Sequence, residues 1–405
     1  LKKERRYKMS QKQKILLVHN YYKISGGEDI VVENERHLLE SQGHEVILYT
    51  RTNRELESLT KWEKVCFPFT ALFSVKTYKE VKKLIIQKEI DLVHVHNTLT
   101  LISPSVYYAA FSCGVPVVQT MHNFRLLCPA AIFVRNGRIC EDCVEQGLGC
   151  AVRYGCYRDS RVQTLVSAAI LKLHRMLGTY RKLFYICLTE FNKEKLLLLN
   201  QKGKNVVKEQ NLFVKSNFIW RPERKEREKK EQYVYVGRLD VIKGVRFLLE
   251  TWRDLPDKKL VICGSGPEEA WIKKYVQDNK MSQIECLGQL THEEVLDVIG
   301  ESKALVMPTL CYEGQPLVLL ESYAVGTPVL ASDLGNVGNT VIPGVTGFRF
   351  KPGNSESLKE AIKKLETQKK WDTKSVYERY YAPEGNYEKL KQIYDYAVKT
   401  VHTKS

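Results

Sequence analysis

Tyr233-Val234-Tyr235-Val236-Gly237-Arg238-Leu239-Asp240-Val241-Ile242-Lys243-Gly244 reads as a short buried strand that breaks at a glycine turn and leads into a helix. The same unit recurs downstream. Apolar runs at Lys259–Gly264, Ile284–Leu287, Ala304–Met307 and Pro328–Ala331 alternate with amphipathic stretches. Upstream, Ile15–Val18, Val46–Tyr49, Asp91–Val95, Pro116–Thr120 and Leu183–Leu188 are the expected strands, with helices near 28–41, 77–88, 104–112 and 160–177. Strand–helix alternation of this kind builds a doubly wound parallel sheet. Between the two series, Arg221–Lys230 is almost devoid of apolar residues and reads as a solvated loop. The expected architecture is α/β with two Rossmann-like domains, at 9–210 and 211–382. A last amphipathic helix within 383–405 carries Tyr387, Leu390, Ile393, Tyr394 and Val398 on one stripe. Two such domains place a binding site in the cleft between them, at the carboxyl ends of the strands.

With 405 residues, 43% of them hydrophobic and 27% charged, the chain has an ordinary globular composition, which rules out disorder and collagen-like repeats. No apolar run approaches the ~18 residues of a membrane span, and no signal peptide follows the basic start. Met9 reads as the natural start, and a cytoplasmic location is expected. Eleven cysteines are too few for a disulfide scaffold. The net charge of +16 is unevenly spread. Residues 1–200 hold 30 basic and 19 acidic side chains, 201–230 hold 10 and 4, and 231–405 hold 23 and 24. The excess on the first half and the linker suits an anionic partner, solubility alone being the plain alternative.

Glycine turns at strand ends let backbone amides and helix N-termini face phosphate. Gly26-Gly27, Gly237-Arg238 and Gly264-Ser265-Gly266-Pro267 are the candidates. Each alone is an ordinary turn; their combination carries the reading. None is a P-loop, and the third glycine of a dinucleotide fingerprint is missing. Arg238 and Lys243 follow a strand and are spaced to reach one diphosphate, the guanidinium as a fork and the ammonium as a point charge. Downstream, Glu313 and Glu321 flank Gly314-Gln315-Pro316. A helix beginning near Pro316 would offer the free amides of Leu317 and Val318 to a phosphate, with Glu321 about one turn inside, able to accept two ribose hydroxyls.

The series Val236-Gly237-Arg238-Leu239, Lys243-Gly244, Gly264-Ser265-Gly266-Pro267, Leu287-Gly288, Glu313-Gly314-Gln315-Pro316-Leu317-Val318-Leu319-Leu320-Glu321 and Gly326-Thr327-Pro328-Val329 resembles glycosyltransferase family 4. In the first half, Gly26-Gly27, Val93-His94-Val95-His96-Asn97 and Thr120-Met121-His122-Asn123 agree. The resemblance implies a retaining enzyme of GT-B fold, with the last helix crossing back to the first domain. It implies that Arg238 and Lys243 hold the diphosphate of a nucleoside-diphosphate sugar and that Glu321 holds its ribose. Glu313 would meet the sugar hydroxyls, and His122 would sit beside the transferred sugar. Gly26 and Gly27 would lie near the diphosphate and the acceptor, Leu287 would border the base, and Gly237, Gly266, Gln315, Pro316, Leu317 and Val318 would complete the donor contacts. One departure stands out: many members read Gly-Phe-Gly-Leu after the first glutamate, and Pro316 here removes an amide donor. No Asp-x-Asp pair of the metal-dependent type occurs, so no cofactor is expected for catalysis.

Cys128, Cys140, Cys143, Cys150 and Cys156 cluster within an expected insertion at about 124–158. Cys140-Glu141-Asp142-Cys143 has zinc-ligand spacing, and Cys128 with Cys156 could complete four thiolates; plain buried thiols are the alternative. His19, His94 and His96 at strand ends read as packed histidines. The basic half suits an acceptor held at an anionic inner membrane surface, such as a lipid-diphosphate-linked saccharide of a cell-envelope polysaccharide, with Tyr21-Tyr22 and Tyr107-Tyr108 adding interfacial contacts. Two rivals remain open. Nucleic-acid binding is compatible with the charge but lacks any recognition motif, and a catalytically silent sugar-nucleotide binder would have no need of both glutamates and both cations.

Overall fold

The computed structural model describes residues 12–23, 26–223 and 227–403. Met9 and the middle of the Arg221–Lys230 loop lie outside them. The first sheet consists of β1 (Lys14–Tyr21), β2 (Glu45–Thr52), β3 (Leu92–Asn97), β4 (Val117–Met121), β5 (Phe184–Cys187) and β6 (Leu212–Val214), all parallel, in the order β2-β1-β3-β4-β5-β6. The second consists of β7 (Gln232–Val236), β8 (Lys259–Cys263), β9 (Ile284–Gly288), β10 (Ala304–Met307), β11 (Val329–Ser332) and β12 (Gly347–Phe350), parallel again, in the order β9-β8-β7-β10-β11-β12. Two doubly wound domains are thus present. The first sheet extends past residue 210, because Cys187 pairs with Val214.

The reason the central strands are apolar on successive residues is visible in β1. Leu16 and Val18 enter a core with Val93 and Val95, whereas Ile15 and Leu17 enter another on the opposite face, with Phe184 and Ile186. A strand covered by helices on both sides has no solvent face to keep polar.

The helix Pro383–His402 leaves the second domain and covers that second face. Tyr387, Leu390, Ile393, Tyr394, Ala397 and Val398 pack against Ile15, Leu17, Val118 and Ile186. Pro383 opens it at a position where a missing amide costs nothing. His44 Nε2 meets Tyr387 Oη at 2.9 Å, and the Tyr394 hydroxyl meets His94 Nδ1 at 2.7 Å. The 124–158 insertion folds as a two-residue hairpin (Val134–Arg135 with Arg138–Ile139) and two short helices, Asp142–Glu145 and Gly149–Tyr154. One helix that periodicity did not announce, Lys61–Leu72, starts at Thr60 in a reciprocal cap with Glu63.

Because Leu390 is fully buried against the first sheet, Leu390→Ala is expected to cost about 2–5 kcal/mol of stability. Hydrogen exchange should quicken in β1 and β4 of the first domain; acceleration confined to residues 232–380 would mean that the helix does not stabilise that sheet.

Candidate active site

The second domain's half of the cleft is built by backbones in very close approach. Gly264 has φ 137°, and a Cβ there would stand 1.9 Å from the Gly237 carbonyl oxygen. Only glycine permits it. The loop after β7 is held by Leu239 N–H donating to the Ser265 carbonyl at 3.0 Å and by Tyr235 Oη donating to the Arg238 carbonyl at 2.8 Å. Arg238 itself is exposed, its Nε 3.6 Å from Asp240 Oδ2. Lys243, on the same loop, places Nζ 2.7 and 2.5 Å from the two oxygens of Glu313. Thr309 Oγ1 donates to Glu313 at 3.1 Å. Burial pulls the Lys243 ammonium down, but the Glu313 carboxylate outweighs it and leaves the group above the ordinary lysine value.

The helix Leu317–Ala324 has Pro316 as its N-cap. The amides of Leu317 and Val318 lie in its first turn, ahead of the helix's own hydrogen bonds. Glu321 is buried, and burial pushes its carboxyl up to about 7; His292 Nδ1 stands 3.6 Å away. Gln315 reaches the segment that joins the two domains. Its side-chain oxygen accepts from Asn217 N at 2.7 Å, and its carbonyl accepts from Asn217 Nδ2 at 3.0 Å, tying the Glu313–Pro316 loop to the inter-domain linker. Beyond the glycine loop, a cavity of about 250 Å³ is lined by Leu239, Gly264, Gly288, Ile272, Cys286 and Leu287.

From the first domain come Gly26 and Gly27 at the start of the helix Gly27–Ser41, where a Cβ on either would meet nothing within 4 Å. Glu28, next to them, escaped the sequence reading. Its Oε2 accepts from Tyr22 Oη at 3.0 Å, it bonds with Asn123, and burial is the main cause that pushes it up to about 8. His122 Nε2 lies 2.9 Å from His96 Nδ1, the rings stacked 5.2 Å apart. His96 Nε2 faces Glu35 Oε2 at 3.4 Å, and Lys215 Nζ donates to Glu35 Oε1 at 2.7 Å and to Asn386 Oδ1 at 2.8 Å. One of the two rings carries the proton of the His96 Nδ1–His122 Nε2 contact, and a proton on His96 Nε2 would face the Glu35 carboxylate. Burial, opposed by Glu35, holds His94 and His122 well below the ordinary histidine value and His96 below it. Glu35 is also pushed up by burial, but Lys215 and the histidines outweigh this and hold it well below the usual carboxylate range. Glu35, His94 and His96 could gather a metal ion, but the Lys215 ammonium already fills the position between them and the linker.

The two halves touch at the centre. A Cβ on Gly314 would stand 2.4 Å from the His122 carbonyl oxygen, so glycine is required where the domains meet. Asn336 Nδ2 donates to the Glu313 carbonyl at 2.6 Å and also contacts Thr189 of the first domain. Tyr312 Oη donates to Glu141 at 3.0 Å, and Lys195 donates to the same carboxylate at 2.5 Å. Glu141 belongs to the Cys140–Cys143 turn. There the Cys128 and Cys143 thiols share a hydrogen bond, which draws Cys128 down to about 6 and raises Cys143. The four thiols Cys128, Cys140, Cys143 and Cys156 are not gathered into one coordination sphere; among the described residues, the ligand group closer than 4.8 Å is the Glu35–His94–His96 set.

Two Rossmann-like domains facing a cleft, with a last helix crossing back, define the GT-B fold, and solved structures agree. Sucrose-phosphate synthase from Thermosynechococcus elongatus superposes with a TM-score of 0.67 at 17% identity, over 96% of this chain and 100% of that one. Anabaena HepE in complex with UDP and glucose gives 0.62 at 14%, over 94% and 98%. The family model described as "Glycosyltransferase Family 4" matches residues 24–138, and "Glycosyl transferases group 1" matches 216–381. The chain belongs to glycosyltransferase family 4. A stretch of 139 residues is 32% identical to glycogen synthase from Mycobacterium tuberculosis, a match covering 33% of this chain and only 33% of that relative.

Removing the ammonium from the Glu35 pair leaves a buried carboxylate unpaired, so Lys215→Met is expected to cost about 3–5 kcal/mol, with part recovered in Glu35→Gln/Lys215→Met. Denaturant melts read both. Histidines kept neutral when folded take up protons on unfolding, so their contribution is complete above the ordinary value of 6.5 and is lost as pH falls below it. Stability that stays flat from pH 7 to about 5 would show that these rings are not held neutral.

Proposed function

We propose that the protein is a retaining glycosyltransferase that moves a sugar from a nucleoside-diphosphate sugar to a hydroxyl of a lipid-diphosphate-linked saccharide in cell-envelope glycan synthesis. The observation that carries this reading is the Lys243–Glu313 pair, set in the cleft where the His122 carbonyl meets Gly314. An ammonium already close to an acceptor can turn to a diphosphate without paying the full cost of desolvation at that moment. Arg238 supplies a second cation from the same loop, and the first-turn amides of Leu317 and Val318 supply a positive helix end. As the bond from the anomeric carbon to the diphosphate breaks, its electron pair goes to the phosphate oxygen. These groups stabilise that charge without a divalent cation. The acceptor oxygen bonds the same carbon, and its proton passes to the departing phosphate oxygen. Glu321 accepts the ribose hydroxyls, the cavity at Leu287 takes the base, and Glu313 orients the sugar. Neutral His122, in contact with His96, lies beside the transferred sugar. Gly26, Gly27 and Glu28 border the acceptor. UDP in the Anabaena relative supports a nucleoside diphosphate here. The positive first half supports docking on the anionic inner face of the cell membrane, where a lipid-linked acceptor is found.

Thermal shift against UDP, GDP, ADP and dTDP tests the reading directly: one diphosphate should stabilise the protein, and its sugar nucleotide should do so further. No response to any of them would overturn it. Lys243→Ala should lower turnover by about 10² to 10³, and Arg238→Lys should not restore the fork. EDTA should leave turnover intact. Ribose hydroxyls donate to the carboxylate form of Glu321, so donor affinity should weaken as pH falls through about 7. That dependence should vanish in Glu321→Gln.

A further inference from the structure

The helix Lys61–Leu72 turns an apolar side to solvent. Trp62 is 80% exposed and Phe69 73%, with Val65 and Cys66 exposed as well. Positions 62, 65, 66 and 69 fall within about 100° of the helix surface. The helix Arg161–Met176 lies against it, with His174 Nε2 meeting the Leu72 carbonyl at 3.2 Å, and it repeats the pattern. Val162 is 70% exposed and Met176 75%, and Leu165 and Leu173 lie between them. Positions 162, 165, 173 and 176 fall within about 80°. Two neighbouring helices with outward apolar stripes make a surface that a protein in water would not keep bare.

Exposed Lys61, Arg161 and Lys172 border the stripes. Arg161–Met176 contains no acidic residue. The one acid of Lys61–Leu72, Glu63, is drawn back into the Thr60 cap. Apolar stripes with a tryptophan and a basic border have the composition of a surface that lies in the headgroup layer of an anionic bilayer. Among the described residues no helix is long and apolar enough to cross a membrane. The first eleven residues, with five basic side chains and Leu1, Tyr7 and Met9, are too polar to fit the stripes.

The tyrosines expected at the interface are engaged elsewhere. Tyr21 and Tyr22 donate to Glu33 and Glu28 at 2.6 and 3.0 Å, Tyr107 is buried on Gln119, and the Tyr108 hydroxyl bonds that of Thr179.

We infer that the paired outward faces of Lys61–Leu72 and Arg161–Met176 dock this protein on an anionic phospholipid bilayer. The inference rests on the membrane-acceptor reading above and names the surface that serves it. The inner side of Arg161–Met176 gives the proposal its sense. Ser167, Ile170 and Leu171 line a cavity of about 60 Å³ together with His122, Asn123 and Arg125. One helix, about 10–12 Å across, therefore separates the lipid-facing stripe from the residues at the cleft. A saccharide tethered to a lipid in that layer needs no long arm to arrive there.

Co-sedimentation of the full chain with vesicles tests this. The protein should bind vesicles containing phosphatidylglycerol, and the Trp62 emission should shift to the blue. Trp62→Phe should lose most of that shift and keep binding. Phe69→Glu/Met176→Glu should lose at least about tenfold in partition, since a charge is forced into the apolar layer on each helix. Ile342→Glu, an exposed apolar position of the second domain, should change nothing. Unchanged binding in Phe69→Glu/Met176→Glu, or no binding of the parent protein at low salt, would overturn the proposal. So would a concentration-dependent dimer that Phe69→Glu separates while vesicles go unbound, because the occupant is then a second copy. The nucleotide thermal shift on the same samples keeps the two readings apart. Vesicle binding without a nucleotide response sinks the transferase reading and leaves the docking surface standing; the reverse result sinks the surface alone.

Discussion

Everything on the first domain's side of the cleft hangs on one buried ion pair, Glu35 with Lys215. Both side chains are about 1% exposed. Taking two charges out of water costs several kcal/mol per ion, and their attraction offsets that cost only where the remaining hydrogen-bonding positions are met. Here Lys215 Nζ reaches Glu35 Oε1 and Asn386 Oδ1, while Glu35 Oε2 faces the His94 and His96 rings at 3.5 and 3.4 Å without a hydrogen bond, so four separate parts of the chain meet at the pair. Glu35 comes from the first helix, His94 and His96 from β3, Lys215 from the linker, and Asn386 from the crossover helix. Such a pair adds little to stability over a well-packed apolar core, but it permits few alternatives. Shift the linker or the crossover helix and a charge is left alone in the interior. The relative placement of the two domains and the orientation of His122 are therefore fixed by the same contact.

The second domain solves a different problem. On the proposed reading it presents cations to an anion, and a cation waiting in a half-buried cleft would be costly or would lose its proton. Lys243 avoids both by resting against Glu313, whose backbone carbonyl is in turn held by Asn336. Arg238 takes the opposite course and stays in water. The resting site is thus near electrical balance, with one ammonium neutralised and one guanidinium solvated. On the proposed reading, a diphosphate entering between them competes with Glu313 for Lys243, which frees the carboxylate for hydroxyl groups.

Most of the fold could be read in the sequence because both sheets are parallel and covered on both faces. Runs such as Ile15–Val18 and Leu260–Cys263 have no polar alternation to obscure them. The glycine loops were legible for a related reason: Gly264 and Gly266 are forced by backbone contacts that no other residue tolerates, and Gly237 by its φ of 153°. Elsewhere the signal was weak. Glu35 sits in a helix rich in charge and looks like a surface residue; nothing local says that Lys215, 180 positions away, will join it. Gln315 stands inside the donor motif, yet its side chain serves the linker. Lys61–Leu72 was missed because its apolar residues, arranged around Pro68, face outward, so a search for core-facing periodicity does not register them. Its Thr60–Glu63 cap was the one available clue.

The same network bears on the electrostatics of the cleft. On the proposed reading, a protonated His122 would add a further cation to the cleft and would bind the intact diphosphate as strongly as the departing one. Interactions that are equal in both states do not speed the chemical step. Burial among His94 and His96 keeps the ring neutral, and its Nε2 is engaged with His96 Nδ1. What His122 then offers the sugar is its other nitrogen and a carbonyl pressed against Gly314. The carbonyl can respond to a positive charge growing at the anomeric carbon, and neither carries a charge to compete for the phosphate. On the proposed reading the labour divides accordingly: Arg238 and Lys243 meet the departing diphosphate from the second domain, and neutral His122 meets the sugar from the first.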